Sequence, residues 1–427
     1  MQASRSERGM ILIRGARQLL TLQGPAVRRG GQLSELNVIV DGSVLVDGDK
    51  IFRVGPTRQL ENLREARRAH VIEAHGKVVM PGFVDSCTQM ISGAPALDDF
   101  ERRSMRRRGV GAVADGIRRG GFRGVRNASP AALRRAAERW LMIAVMHGTT
   151  SLEVRSAQAL HLATEGKALR VVRDLDGKPL DLQPVILAAH PGEAGPEDSA
   201  GVVRRVIDEL LPDIQRRRLA RYCAVDVSAE GFSADLARRI AEFAKANGFK
   251  LKIQTGLRRG DAGARLAVEV GATSLSHAAF VQPDEILALA ESDVVVTLLP
   301  GVSYQQSAEF APARDLIDSG VAVALASGFG AAGGPTLNMS SVLSLACSRM
   351  GMTAAEAISA ATVNGAASLG SVMYAGSLEP GKQADLAIFD TGDYREIPYY
   401  LGINLCVLTM KKGRVIYRAP RYPAAPS

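Results

Sequence analysis

The chain has 427 residues and a formal net charge of +9 at pH 7, with 53 Lys and Arg residues against 44 Asp and Glu residues. Hydrophobic residues make up 46% of it and aromatic residues 5%, which predicts a core of Ala, Val, Leu and Ile. No window holds the roughly 18 uncharged apolar residues that a membrane span needs, and the N-terminus lacks the apolar core of a secretory signal. We therefore expect a cytoplasmic protein with no membrane partner.

The basic residues are spread along the chain, apart from one cluster, ERRSMRRRG at 101–109. This cluster has no interleaved aromatic residues for base stacking, so a solvated helix face is favoured over nucleic-acid binding. Binding of an acidic partner stays open as a hypothesis, and it would use Arg102, Arg103, Arg106, Arg107 and Arg108.

The cysteines are far apart in the chain and form no CxxC pair: Cys87, Cys223, Cys347 and Cys406. This spacing indicates neither a disulfide framework nor a thiolate zinc knuckle. Free thiols are expected.

Short apolar alternations broken by Gly and Asp run from about residue 10 to 77, and DG pairs between them are typical of β-hairpin turns. The same pattern returns at 376–390 and 407–417. Each end alone would leave an unpaired sheet edge. We therefore predict one small β-sandwich domain formed from both termini, residues 1–80 and 376–427.

Between these ends, apolar strand patterns alternate with helical ones. Helices are predicted at 129–148 and 233–248, each with Ser at the N-cap and Gly at the end. Beginning with VMPGFVD at 79–85, the strand count approaches eight, which favours a parallel (β/α)8 TIM-like barrel over residues 81–375.

The active site of such a barrel lies at the carboxyl ends of its strands. The residues predicted at those ends are Cys87, Gln89, Arg155, Gln158, His190, Glu230, Gln254, His277 and Gly328. Histidine and carboxylate side chains serve as general acids and bases. A catalytic zinc or iron, in contrast, usually has about three ligands from His, Asp, Glu or Cys.

Several collinear segments carry a family resemblance: VMPGFVD, GTTSLEVRS, AAHPGE, PARDLIDSGVAVALAS, GSLEPGKQADLAIFD and NLCVLTMKKGRVIY. The chain resembles the amidohydrolase superfamily and, within it, the imidazolonepropionases, which open a cyclic amide with a metal-activated water. The resemblance covers nearly the whole chain, and it implies the barrel, the terminal β-domain and a homodimer.

The metal-ligand positions that the resemblance implies are all changed in this chain. The His-x-His pair corresponds to Cys87 and Gln89, a further His ligand to Gln254, and the Asp ligand to Gly328. An amide oxygen, a missing side chain and a single thiol are poor substitutes for such ligands. The resemblance therefore predicts a degenerate metal site and no bound cofactor.

Other functional positions of the family are partly kept. The resemblance implies that His190 contacts substrate and that His277 assists hydrolysis, while Arg155 and Gln158 occupy substrate-binding positions. Ala96 and Leu257 replace an Arg and an acidic residue. Since Glu153 precedes Arg155 by two residues, an internal ion pair near the barrel mouth is also expected.

Two hypotheses about function stay open beside the acidic-partner hypothesis. The chain is either a catalytically degenerate homologue that acts as a small-molecule binder or non-catalytic subunit, or a divergent hydrolase of carbon–nitrogen bonds in cyclic amides. The second would use His190, His277 and Cys87, either without metal or around a relocated zinc or iron.

Overall fold

The computed structural model describes residues 9–91, 97, 100–101, 124–156, 161–188, 199–228, 231–257, 262–330 and 333–420. The strands in these ranges are β1 (Ile11–Leu20), β2 (Val38–Asp47), β3 (Lys50–Pro56), β4 (His70–Glu73), β5 (Val78–Pro81), β6 (Phe83–Asp85), β7 (Thr149–Arg155), β8 (Asp181–Leu187), β9 (Tyr222–Val227), β10 (Lys250–Thr255), β11 (Ser274–Ser276), β12 (Val295–Leu298), β13 (Val323–Leu325), β14 (Leu386–Phe389), β15 (Cys406–Lys411) and β16 (Arg414–Arg418).

The α-helices of the same ranges lie mostly between the barrel strands. They are α1 (Thr57–Leu60), α2 (Pro130–Met146), α3 (Leu162–Leu175), α4 (Ser199–Arg205), α5 (Leu211–Arg216), α6 (Ala234–Ala246), α7 (Gly263–Val270), α8 (Pro283–Ala290), α9 (Pro300–Gln306), α10 (Ala313–Asp318), α11 (Met339–Met350), α12 (Ala354–Ala360), α13 (Val363–Ser368) and α14 (Glu396–Tyr399). A π-turn at Val206–Leu210 joins α4 to α5, and short 3₁₀ turns occur at Gly30–Ser34 and Ala66–Arg68. None of the helices in the described ranges is long and apolar enough to cross a membrane.

The predicted N-caps of two helices are confirmed. The Ser129 hydroxyl accepts a hydrogen bond from Ala132 N at 3.2 Å, and the Ser233 hydroxyl accepts one from Leu236 N at 3.4 Å. Each bond satisfies an amide that the first turn of a helix leaves unpaired. Gly148 and Gly248, just beyond the two helix ends, have positive φ values of 86° and 80°.

The predicted barrel is confirmed. Strands β6 to β13 form one parallel sheet in consecutive order, and helices cover its outer face with a continuous core of aliphatic side chains. The first barrel strand is shorter than expected, since β5 pairs in the terminal sheet and only Phe83–Asp85 enters the barrel. Gly82 separates the two strands and lies against Thr150, whose Cγ2 would be 2.2 Å from an added Cβ.

The terminal unit assembled from both ends of the chain is confirmed as well. Strands β1 to β5 and β14 to β16 share one hydrogen-bonded sheet, in which β14 pairs with β5 and joins the C-terminal strands to the N-terminal ones. A core that includes Ile13, Val44, Leu386 and Met410 lies inside this sheet. The numerical domain limits stay predictions.

The two ends of the barrel sheet meet just beyond β6 and β13. Gly328 N donates to Cys87 O at 3.0 Å, and Gln89 N donates to Phe329 O at 2.7 Å. Asp85 accepts two further hydrogen bonds, from Ser327 N at 2.9 Å and Ser327 Oγ at 2.5 Å. The segments 85–89 and 327–330 therefore close the barrel at its mouth.

Candidate functional site

The four positions that the resemblance predicts as degenerate metal ligands all lie at the mouth of the barrel. Cys87 and Gln89 follow β6, Gln254 is near the end of β10, and Gly328 follows β13. The three side chains are buried, with 1%, 2% and 8% of their surfaces exposed, respectively. The fold thus brings these positions together at one end of the barrel. The family resemblance predicts the metal site at this end.

Arg155, at the end of β7, reaches across this region. Its Nε donates to Glu153 Oε1 at 2.6 Å, and its two terminal nitrogens donate to Gln254 Oε1 at 2.5 Å and to Ser276 Oγ at 2.8 Å. The side chain is 1% exposed. The expected internal ion pair is present, and the same guanidinium also holds the residue that replaces a family histidine.

Lys252 extends this network, and the sequence analysis did not single it out. Its Nζ lies 2.6 Å from Glu153 Oε2 and donates to Ser368 O at 2.7 Å. Burial lowers the pKa of Lys252, and the neighbouring Glu153 carboxylate opposes that shift. The sequence does contain a signal for this residue. Lys252 lies two residues before Gln254 in a short apolar strand, and residues two apart lie on the same face of a strand.

Among the residues that the structure describes, the side-chain amide of Gln89 has no hydrogen-bond partner. Neither its Oε1 nor its Nε2 is hydrogen-bonded, although the residue is 2% exposed. A buried amide without a partner costs about 1–3 kcal/mol in proteins. The amide therefore has hydrogen-bonding capacity for a donor and an acceptor that the described residues do not use.

Cys87 lies in an apolar cluster with Leu299, Val302 and Ala326, against which Leu257 packs. Burial raises the pKa of the Cys87 thiol to about 12. Both metal binding and nucleophilic attack require the thiolate. Leu257, which stands at the position of the family's acidic residue, is part of this apolar packing.

Gly328 has a backbone conformation and surroundings that disfavour any side chain. Its φ is +61°, and an added Cβ would be 2.4 Å from Val302 Cγ2. Nearby, Gly330 has φ +111°, and an added Cβ would be 2.2 Å from Gln89 O. The glycines of 327–335 thus permit close backbone contacts at the barrel closure.

The described donor set fits a divalent metal ion poorly. Cys87 is held as a thiol, Gln254 Oε1 already accepts from Arg155, and Gly328 has no donor. The described residues contain no group of three or more His, Cys, Asp or Glu side chains that could hold a metal. The relocated site also needs His190, which lies outside these residues.

His277 is buried at the end of β11, with 7% of its surface exposed. Its backbone N donates to Thr297 O at 3.1 Å, and its φ of +77° is in the left-handed region. The other site predictions, for His190, Gln158, Glu230 and Ala96, lie outside the described residues, as do the arginines at 102–108. Their roles stay predictions.

The burial of Cys87 leads to a test of its proposed nucleophilic role. At pH 8 we expect iodoacetamide to modify the partly exposed Cys347 first and to reach Cys87 only when the protein unfolds, because the alkylation requires an accessible thiolate. Peptide mass mapping over time measures this order, and the denatured chain, in which all four thiols react, is the control. Rapid modification of Cys87 in the folded protein would contradict the expectation.

Comparison with known proteins agrees with this architecture. The amidohydrolase family model matches residues 78–416, so the chain belongs to the amidohydrolase family. An imidazolonepropionase from Geobacillus kaustophilus is 38% identical over 420 residues, covering 95% of this chain and 97% of the relative. One from Alkaliphilus metalliredigens is 34% identical over 416 residues, again covering 95% and 97%. Within the family, the chain is therefore imidazolonepropionase-like, and the resemblance described above is confirmed.

Solved structures support the fold alone. A triazine hydrolase variant matches with a TM-score of 0.74 at 20% identity, covering 98% of this chain and 96% of the other. An atrazine chlorohydrolase from Arthrobacter aurescens TC1, complexed with zinc, matches with a TM-score of 0.70 at 19% identity and covers 97% of each chain. These likenesses place the barrel and the terminal sheet in a known architecture.

Proposed function

We propose that the chain is an imidazolonepropionase-like protein that has lost the metal site and binds a small polar ligand at the barrel mouth without hydrolysing it. The observation that carries the proposal is the Arg155 guanidinium, whose hydrogen bond occupies the oxygen of Gln254. Gln254 is at a position that corresponds to a metal ligand in the family. Its side-chain amide already accepts a hydrogen bond from Arg155, which is always positively charged.

Electrostatics supports this proposal. A cation 4 Å from the guanidinium is repelled by roughly 4 kcal/mol per unit charge at an effective dielectric constant of 20. Glu153 offsets this repulsion only in part, because the same carboxylate pairs with both Arg155 and Lys252, and Asp226 is a second buried carboxylate within electrostatic reach of Arg155. A ligand without a positive charge, whether neutral or anionic, avoids the penalty.

The class of ligand follows from Gln89. Its buried amide offers one acceptor oxygen and two N–H donors, none of them hydrogen-bonded to the described residues. A lactam or cyclic imide presents the complementary N–H and C=O groups side by side. We therefore assign the mouth to a compact cyclic amide, the class of compound implied by the imidazolonepropionase resemblance, bound through neutral hydrogen bonds.

The test combines metal analysis, an activity assay and binding. Purified full-length protein should contain no stoichiometric zinc or iron, should not open 4-imidazolone-5-propanoate, and should bind this compound in calorimetry. Near-stoichiometric metal, together with ring opening that a chelator abolishes, would show that the metal-loss proposal is wrong.

A pair of variants tests the role of Gln89. Gln89→Met should abolish binding and raise the stability of the free protein by about 1–3 kcal/mol, because it removes an unpaired buried amide. Gln254→Met is the matched control and should lower stability, because it breaks the bond from Arg155. Unchanged binding by Gln89→Met would contradict the assignment of the ligand.

A non-catalytic subunit role and self-association remain predictions from the resemblance. A metal-independent hydrolase that uses Cys87 would require its thiol to ionise, and burial acts against that. We therefore favour the binding protein.

A further inference from the structure

A cleft of about 390 Å³ opens at the end of the barrel opposite the mouth. Its lining includes Ser151 and Asp181 near the starts of β7 and β8, and Arg221 just before β9. The terminal sheet contributes Lys412, in the turn between β15 and β16. The cleft therefore lies where the amino ends of the barrel strands meet the terminal unit, and its volume is in the range of small-molecule sites.

The charges that line the cleft are mostly positive. Arg173, Arg218, Arg221 and Lys412 face two acidic residues, Asp176 and Asp181. Both acidic side chains are already engaged. Asp181 lies 2.6 Å from Lys412 Nζ and 2.8 Å from Lys411 Nζ, and Asp176 accepts from Leu182 N at 2.8 Å.

In the described ranges, the three arginines of the cleft lack the close ion pairs that Asp181 forms with the lysines. Arg173 Nε is 3.9 Å from Asp174 in a pair whose side chains are about half exposed. Arg218 and Arg221 have no ion pair within the described part of the chain, and both are exposed. Arg218 and Arg221 thus present guanidinium groups to the cleft without an ion pair among the described residues, while the Asp176 carboxylate, which accepts a backbone hydrogen bond, keeps its negative charge.

Arg218 occupies a backbone position that usually favours glycine. It follows α5 with a φ of +52°, and its N donates to Gln215 O at 2.9 Å while Leu219 N donates to Ile214 O at 3.0 Å. A side chain in the left-handed region costs roughly 1–2 kcal/mol. This cost falls on one of the arginines that line the cleft.

We propose that this cleft binds the phosphate group of a small phosphorylated molecule. Planar guanidinium groups bind phosphate oxygens in a bidentate manner, and the Tyr374 phenol, which lies within electrostatic reach of Arg221 and Lys412, adds a hydroxyl donor. Leu182, Leu219 and Leu369 supply apolar surface for the organic part of the ligand. This site is separate from the barrel mouth, so it does not depend on the function proposed above.

The test uses full-length protein and inorganic phosphate, titrated at constant ionic strength in a calorimeter. We expect saturable binding that Arg221→Gln weakens about tenfold, since each charge-assisted hydrogen bond contributes about 1.5–3 kcal/mol. Arg218→Gly should weaken binding by a similar factor without lowering thermal stability, because φ +52° suits glycine. Arg239→Gln is the matched control, since it removes an exposed arginine of α6 outside the cleft.

Three results would overturn the proposal. The first is the absence of saturable phosphate binding to the unaltered protein. The second is equal affinity in the unaltered protein, Arg218→Gly and Arg221→Gln, which would place the phosphate elsewhere. The third is equally tight binding of succinate under the same conditions, which would exclude selectivity for phosphate.

Discussion

Replacement of Glu153 by Gln is expected to lower the free energy of unfolding by about 3–5 kcal/mol, the cost typical of breaking a buried ion pair. Glu153 lies between two buried cations, with one carboxylate oxygen bonded to Arg155 and the other paired with Lys252. Glu153 and Lys252 have no exposed surface, and Arg155 is 1% exposed. The substitution therefore leaves two positive charges in the barrel without their shared counter-ion.

Urea denaturation of the purified variant measures this effect. Glu138→Gln is the matched control, because Glu138 pairs with Arg134 on the exposed face of α2 and its loss should change stability by about 0.5 kcal/mol or less. Arg155→Met should cost less than Glu153→Gln, because it leaves Glu153 and Lys252 as a balanced pair. Equal effects of Glu153→Gln and Glu138→Gln would show that the network is not buried as described.

Gly328→Asp, which introduces a carboxylate at the position that the resemblance matches to the family's Asp ligand, is expected to destabilise the protein by about 2–4 kcal/mol. Overpacking a core typically costs about 1–3 kcal/mol, and the left-handed backbone adds roughly 1–2 kcal/mol. The main obstacle is Val302, whose Cγ2 would be 2.4 Å from the new Cβ. A β-branched side chain cannot easily rotate away.

A double-mutant cycle separates the clash from the charge. Gly328→Ala adds only the Cβ, and Val302→Ala removes the opposing methyl groups. If the clash is the cause, the cost of Gly328→Asp should fall by at least about 1 kcal/mol in the Val302→Ala background, as measured by denaturation. Additive effects would show that the two residues are not coupled. The loss would then come from the left-handed backbone or the buried carboxylate, and Gly328→Ala, which adds no charge, distinguishes the two.

We expect that replacing only the four ligand positions would not produce a metal site. The apolar cluster around Cys87 and the guanidinium of Arg155 occupy the surroundings of the former ligand positions. Under the proposed loss of the metal site, the packing and the electrostatics of the mouth would differ from those of the family along with the four ligand positions.

Some features of the fold could be predicted because they depend on local patterns. The serine N-caps at Ser129 and Ser233 follow from residues within one helical turn. The parallel barrel follows from short apolar strands that alternate with amphipathic helices. The boundary between the two units was predicted within the apolar run at 79–85, after residue 80. The division of 79–85 into β5 and β6 was not, because the run was read as one barrel strand and hydrophobicity alone does not show where a strand changes partner.

The two-unit architecture and the chemical types at the barrel mouth could be predicted from local patterns, because Cys87, Gln89, Gln254 and Gly328 lie at the ends of predicted strands. The contacts of these residues could not, because they form only in the folded barrel. Arg155 bonds Gln254 and Ser276, which are 99 and 121 residues away in the chain. The basic cleft likewise combines residues from β8, the end of α5 and the turn after β15. Such contacts depend on the distances between strands in the closed barrel, and a one-dimensional pattern does not contain those distances.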